Sequence, residues 1–77
     1  MARNDPARPA KRSLTLRGHR TSVSLEEPFW REFRRLALAR GQSVNGLAAE
    51  LDAGRTPPAS LASAIRVFVL EAALRGE

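Results

Sequence analysis

The stretch HRTSVSLEEPFW, residues 19–30, changes its hydrophobic spacing near its midpoint. Polar and apolar residues alternate from Arg20 to Leu25, which is typical of a strand with one buried face. From Leu25 onward the apolar residues recur at helical spacing. A strand therefore runs directly into a helix without an intervening turn, and this strand needs another strand beside it because a single strand is not stable in water.

A second alternating segment, RSLTLR, precedes this strand at residues 12–17. Its leucines occupy even positions, whereas the later segment places Val23 and Leu25 on its apolar face at odd positions. Because a regular strand cannot change the parity of its buried positions, we expect Gly18 and His19 to form a bulge or a bend. The first segment could then either lengthen the ribbon or fold back on it.

Three helices are expected after the strand. The first runs from about residue 26 to 40 and ends at Gly41, which favours a left-handed cap. The second covers residues 43–53 and begins at Ser43, a good N-cap. The third covers residues 61–75 and is apolar nearly all round, so it must be buried, and one small domain cannot cover it. We therefore expect a binding partner to cover the rest of this helix.

Size and composition exclude several classes of protein. A chain of 77 residues forms one small domain with a modest core, and it has no Cys and one His. A disulfide framework and a thiolate zinc site are therefore excluded, and oligomerisation is the expected supplement to the core. No signal peptide or membrane span is expected, which favours the cytoplasm. No nucleophile, paired carboxylate or metal cluster has workable spacing, so we expect no enzyme, no cofactor and no metal.

Charge is concentrated at the N-terminus. The net charge of +5 arises from 13 basic and 8 acidic residues, and six of the basic residues lie in the first 20 positions, where Asp5 is the only acid. Residues 1–11 contain two prolines and no periodicity, which predicts a disordered basic arm. This arm could bind nucleic acid or serve only as a solvated tail. The remaining residues, 12–77, are expected to form the domain, with the ribbon at about residues 12–25.

The order of strand, helix, short turn and helix resembles the ribbon-helix-helix DNA-binding family. The most specific resemblance is the G-x-S-V-N sequence between the first two helices, where Gly41 precedes Ser43, Val44 and Asn45. The resemblance implies a mainly α fold with a short β-strand, in which two chains intertwine as a homodimer and pair their strands into an intermolecular antiparallel ribbon. The ribbon enters the major groove, and here a C-terminal third helix is added. Each strand would have no partner within its own chain.

The resemblance also implies site residues. The outward side chains before the first helix, Arg20, Ser22 and Ser24, would contact base edges. The start of the second helix would bind a phosphate through Ser43, Val44 and Asn45, although Ser43 could also be a plain N-cap. We further expect phosphate contacts from Lys11, Arg12 and Arg17. The expected dimer core consists of Val23, Leu25, Phe29, Phe33, Leu36, Leu47, Leu51, Ile65 and Phe68.

Two alternatives accompany this interpretation. A helix-turn-helix would use the second helix for recognition, but that helix exposes two acids and small residues, which suit a DNA groove badly. The other alternative is functional: an adaptor or antitoxin-like protein would bind another protein through the apolar third helix. Sequence-specific binding of double-stranded DNA by a repressor-like bacterial regulator, located on the nucleoid when bound, is the favoured function.

Overall fold

The computed structural model describes residues 7–77, which form two strands followed by three helices. These elements are β1 (Ala10–Leu16), β2 (His19–Leu25), α1 (Glu27–Ala39), α2 (Val44–Gly54) and α3 (Leu61–Leu74). The expected fold class, a short sheet followed by two helices and an additional C-terminal helix, is confirmed for the single chain. The helix bounds differ from the expected spans by one residue at most.

Strands β1 and β2 form an antiparallel hairpin whose turn consists of Arg17 and Gly18. Both turn residues have positive φ, 52° and 84°, as a two-residue type I′ turn requires. The expected bulge or bend at Gly18 and His19 is a two-residue turn instead, in which Gly18 is the second turn residue and His19 is the first residue of β2, paired with Leu16. Pairing across this turn matches each even-numbered residue of β1 with an odd-numbered residue of β2, which explains the change of parity.

The hairpin also corrects the expectation that the ribbon strand has no partner within its own chain. Strand β2 pairs with β1 along its whole length, so the first alternating segment folds back instead of lengthening the strand. Strand β1 begins at Ala10, so Ala10 and Lys11 belong to the sheet and not to a disordered arm. Residues 1–6 of the expected arm lie outside the described residues.

One core lies between the inner face of the hairpin and the three helices. Its buried residues are Leu14, Val23, Leu25, Phe33, Leu36, Ala37, Leu47, Ala48, Ile65, Val69 and Ala72. Six of the nine residues expected in a dimer core are among them, and the other three, Phe29, Leu51 and Phe68, are partly buried and pack against this core. A single chain therefore buries six of these nine residues fully and three partly without a second copy.

Helix α3 is buried on one side only. Ile65 and Val69 face the core, whereas Val67, Leu70 and Leu74 are 54%, 55% and 78% exposed. Their spacing of three and four residues places the exposed side chains on one helix face. A single chain therefore leaves one face of this helix uncovered, in line with the expectation that one small domain cannot cover it.

Candidate nucleic-acid interface

The solvent-facing side of the hairpin is entirely polar. We call it the outer face and define it by three cross-strand pairs, Lys11 with Ser24, Ser13 with Ser22, and Thr15 with Arg20. All six residues are exposed. Side chains directly opposite each other in an antiparallel pair are about 5 Å apart at Cβ. The three residues expected to contact bases therefore lie in one row on β2, and β1 places a second polar row beside them.

The outer face is also free of negative charge. Residues 7–25 contain no Asp or Glu, while Lys11 and Arg20 lie on the outer face, Arg8 precedes β1 and Arg17 occupies the turn. An arginine side chain can donate two parallel hydrogen bonds to guanine or to a phosphate. Positive charge and short hydroxyl groups therefore share one exposed surface, a combination that suits contact with phosphate groups.

The acidic residues nearest to the hairpin in sequence, Glu26 and Glu27, directly follow β2. Each of them accepts a hydrogen bond from an arginine side chain. Glu26 accepts hydrogen bonds from Nε and Nη2 of Arg66 at 3.0 and 3.1 Å. The hydrogen bond from Arg66 lowers the pKa of the Glu26 carboxyl below its ordinary value. Glu27 accepts a hydrogen bond of 2.9 Å from Nη2 of Arg12. Both carboxylates therefore pair with arginines within the chain and leave less uncompensated negative charge beside the outer face.

Arg12 lies on the inner side of the hairpin. Besides Glu27, its guanidinium donates to the carbonyl oxygen of Leu25 at 3.3 Å and lies 5.7 Å from the centre of the Trp30 ring. Only 18% of its side chain is exposed. This placement joins β1 to α1 and does not present Arg12 to a phosphate, unlike Lys11 and Arg17, which are exposed. The alternating pattern of β1 predicts this inward placement, because Arg12 occupies an even position, as the buried Leu14 does.

The N-terminus of α2 lies beside β1. The backbone N–H of Thr15 donates to Oδ1 of Asn45 at 3.0 Å, which joins the far edge of β1 to the first turn of α2. Ser43 caps the helix by accepting from the backbone N–H of Gly46 at 2.9 Å. The backbone N–H groups of Val44 and Asn45 make no hydrogen bond to the described residues, so they remain available to an anion. The Val44 side chain is half-buried, so only its amide suits this role.

Gly46 is a feature of this cap that the sequence interpretation missed. A Cβ atom at Gly46 would lie 3.0 Å from Oγ of Ser43, tighter than nine in ten real Cβ contacts. Glycine therefore leaves the Ser43 hydroxyl in its capping position. An open groove of about 580 Å³ adjoins Ser43 and is lined by the exposed arginines Arg31 and Arg34. These arginines extend the positive surface next to the α2 N-terminus.

Each hairpin strand has one side-chain contact at its outer edge. Because the N–H of Thr15 points towards Asn45, the Thr15–Arg20 pair is not hydrogen-bonded across the strands. Hydrogen-bonded and non-hydrogen-bonded pairs alternate in an antiparallel ladder. The backbone groups of Arg20, Ser22 and Ser24 therefore point away from β1. Within the described chain, the partner of this edge is Nη2 of Arg66, 3.3 Å from the Ser24 carbonyl oxygen.

A cleft of about 450 Å³ lies along β2 near the turn. It is bordered by α2 and by the start of α3, and it explains why Thr21 is exposed although its parity matches that of Val23. His19 also lines this cleft and is exposed. In residues 7–77 no group of three or more His, Cys, Asp or Glu side chains could hold a metal ion. In the same part of the chain, no helix is long and apolar enough to cross a bilayer.

Comparison with protein families gives one finding. The family described as ribbon-helix-helix domain matches residues 9–73, a span that includes both strands and nearly all of the three helices. Comparisons with curated proteins and with solved structures gave no significant match. The family match thus covers the first strand and the third helix together with the strand, helix and helix on which the resemblance was based.

Proposed function

The chain belongs to the ribbon-helix-helix domain family, a non-enzymatic fold of homodimeric DNA-binding regulators, and from this premise we propose that it is a bacterial, repressor-like regulator that reads specific double-stranded sites. The outer face of the hairpin carries this proposal. It presents only polar and basic side chains, it is free of acids, and it lies opposite the core that Val23 and Leu25 enter.

The side chains of β2 suit base recognition in the major groove. The groove admits a two-stranded ribbon, arginine can bond guanine through two hydrogen bonds, and serine can donate to or accept from several bases. Arg20 would therefore supply most of the discrimination, while Ser22 and Ser24 would adjust it. Because two of the three residues are short and adaptable, we expect specificity to depend strongly on Arg20.

We propose that the second copy pairs with the open edge of β2. The backbone groups of Arg20, Ser22 and Ser24 point out of this edge, and a polar strand edge of this length without proline is a ready template for another strand. Antiparallel pairing centred on Ser22 places Arg20 opposite Ser24 of the second copy. This register uses all three outward residues and avoids placing the two Arg20 charges directly opposite each other.

Phosphate anchoring would come from two places. The free amides of Val44 and Asn45 and the Ser43 hydroxyl lie at the N-terminus of α2, where the helix dipole favours an anion. The exposed cations Lys11 and Arg17 provide further contacts. Arg12 is left out of this proposal because Glu27, Leu25 and Trp30 hold its side chain.

Quantitative binding to a selected site and to random duplex DNA tests this function. Arg20→Ala should weaken binding at the selected site by about 1–3 kcal/mol and much less on random DNA. Ser43→Ala serves as the contrasting variant and should weaken both DNAs together, because it perturbs a phosphate anchor. Equal losses on both DNAs for Arg20→Ala would make Arg20 a phosphate contact. A wild-type protein without salt-dependent DNA binding would refute the proposed function.

The exposed face of α3 favours a second candidate, a protein-binding adaptor. Val67, Leu70 and Leu74 form an apolar stripe that the single chain leaves uncovered. Such a stripe is typical of a contact with another protein chain. If the wild-type protein fails to bind DNA in the experiment above, this adaptor role becomes the leading function. Binding of both DNA and a protein is compatible with the structure, because the stripe and the outer face consist of different residues.

A further inference from the structure

We infer that β1 is a phosphate-binding strand, in which the side chains of Lys11, Ser13 and Thr15 contact the DNA backbones that border the major groove while β2 contacts the bases. This inference rests on the proposed function and assigns a role to Ser13 and Thr15. It divides the outer face into two rows, although the six side chains point in the same direction and all are exposed.

The first argument is the width of the sheet. Pairing of two β2 strands gives the strand order β1, β2, β2 and β1 across the dimer. Neighbouring strands lie about 4.8 Å apart, so the outer strands are separated by about 14 Å. The major groove is about 12 Å wide. The central β2 pair therefore fits between the groove walls, whereas each β1 strand lies over a row of phosphates.

The second argument is the position of β1 between two DNA-contacting elements. On one side β1 pairs with β2, whose Arg20, Ser22 and Ser24 are the proposed base contacts. On the other side the Thr15 backbone is hydrogen-bonded to Asn45 at the start of α2, 3.0 Å away. Since the amides of that helix start are the proposed phosphate anchor, the surface changes from base contacts to phosphate contacts across β1.

The chemistry of the β1 row agrees with this position. Lysine, serine and threonine side chains commonly donate hydrogen bonds to phosphate oxygens and carry no sequence information when they do so. Neither strand contains an acid that would repel the DNA backbone. The β1 row has no arginine, whereas the β2 row has Arg20, which can make a bidentate contact with guanine.

Ser13 and Ser22 offer a matched test, because they are directly opposite each other, exposed and identical in type. Each is replaced with alanine in the full-length chain, and binding is measured on a selected site, on its single-base variants and on random DNA. Ser13→Ala should weaken binding about 2- to 12-fold on every sequence, the range for one hydrogen bond. Ser22→Ala should change the ranking of the single-base variants.

The charge of β1 gives a second readout. Lys11→Gln should reduce the slope of log affinity against log salt by about 0.9 without changing sequence preference, because one counterion-releasing phosphate contact is lost. Folding is checked by circular dichroism, and Thr15→Val tests the remaining hydroxyl in the same assay with the same expectation as Ser13→Ala.

Three outcomes would overturn the inference. A change of sequence preference in Ser13→Ala or Thr15→Val would place β1 inside the groove as a base-contacting strand. Unchanged affinity in Ser13→Ala, Thr15→Val and Lys11→Gln would remove β1 from the interface. Unchanged salt dependence in Lys11→Gln would remove its phosphate contact. None of these outcomes refutes DNA recognition by β2, because Arg20→Ala tests that proposal separately. Failure of the wild-type chain to bind DNA would refute both proposals.

Discussion

The two strands of the hairpin have similar sequences but different surroundings. AKRSLTL and HRTSVSL both alternate, both place serine on the outer face, and both bury an aliphatic residue in the same core. The far edge of β1 is hydrogen-bonded to Asn45 of α2. The far edge of β2 likewise has one side-chain contact, from Arg66 of α3. The two edges therefore differ in the helix that contacts them, and the edge of β2 is the one that does not lie against the N-terminus of α2.

This difference also distinguishes the two proposed roles. In the proposed dimer, β2 lies at the centre of the sheet, where a groove is deepest. Strand β1 lies at the margin of that sheet, beside the free amides of the α2 N-terminus. The two strands have similar outward rows of polar residues, but we expect these rows to have different functions because different elements lie beside them.

The largest expected effect comes from the inner face of β2. Val23 is 6% exposed, so Val23→Ser removes buried methyl groups and introduces a buried hydroxyl, which should lower the free energy of unfolding by about 3 kcal/mol. Thr21→Ser is the matched control, because Thr21 has the same parity on the same strand but is exposed. Urea denaturation measures both variants. If the two variants were equally stable, the result would contradict the burial of Val23 and the exposure of Thr21 on the same side of β2.

A smaller effect is expected at the edge of β1. Asn45→Ala removes the acceptor of the Thr15 N–H and should destabilise the protein by about 1 kcal/mol. Asn45→Asp keeps an oxygen acceptor in the same place and should be less destabilising. Thermal unfolding of both variants checks this, and the amide hydrogen of Thr15 should exchange faster in Asn45→Ala. Unchanged exchange of that amide would show that Asn45 does not protect the far edge of β1.

The smallest expected change in stability has the opposite sign. Arg17 occupies a turn position with φ of 52°, and asparagine followed by glycine suits a type I′ turn better. Arg17→Asn should raise the free energy of unfolding by about 0.5–1 kcal/mol, which is part of the roughly 1–2 kcal/mol that left-handed backbone costs most residues other than glycine. The same variant should weaken DNA binding and reduce its salt slope by about 0.9. A stabilised variant with unchanged salt dependence would remove Arg17 from the proposed phosphate contacts.

The sequence predicted much of this arrangement because alternation and helical spacing report which side of an element is buried. Leu14, Val23 and Leu25 are buried as their parity indicates, and Ser22 and Ser24 are exposed. The hairpin could also have been predicted, since two alternating segments of opposite parity around Arg17 and Gly18 suit a two-residue turn. The change of parity alone does not identify the turn, because a bulge or a bend within one longer strand also changes parity.

Two features depend on tertiary structure. The hydrogen bond from Thr15 to Asn45 joins residues that are 30 positions apart, and no local pattern indicates it. The groups that cover each strand edge are likewise set by how α2 and α3 pack beneath the sheet. The placement of Arg12 can be predicted from the sequence only in part. Its parity indicates the inner face, but its contacts with Glu27 and Trp30 depend on how α1 packs against the hairpin.

Oxidative cross-linking tests the central claim, that β2 is the strand through which two copies meet, most directly. The chain has no cysteine, so Ser22→Cys introduces a single thiol at the proposed centre of the β2 pair. Cα atoms of a hydrogen-bonded antiparallel pair lie about 5.5 Å apart, within the range that a disulfide spans. The Ser13→Cys control lies on the same face, but about 14 Å would separate its two copies. We predict rapid disulfide-linked dimers for Ser22→Cys and none for Ser13→Cys; equal cross-linking of both, or of Ser13→Cys alone, would contradict the account.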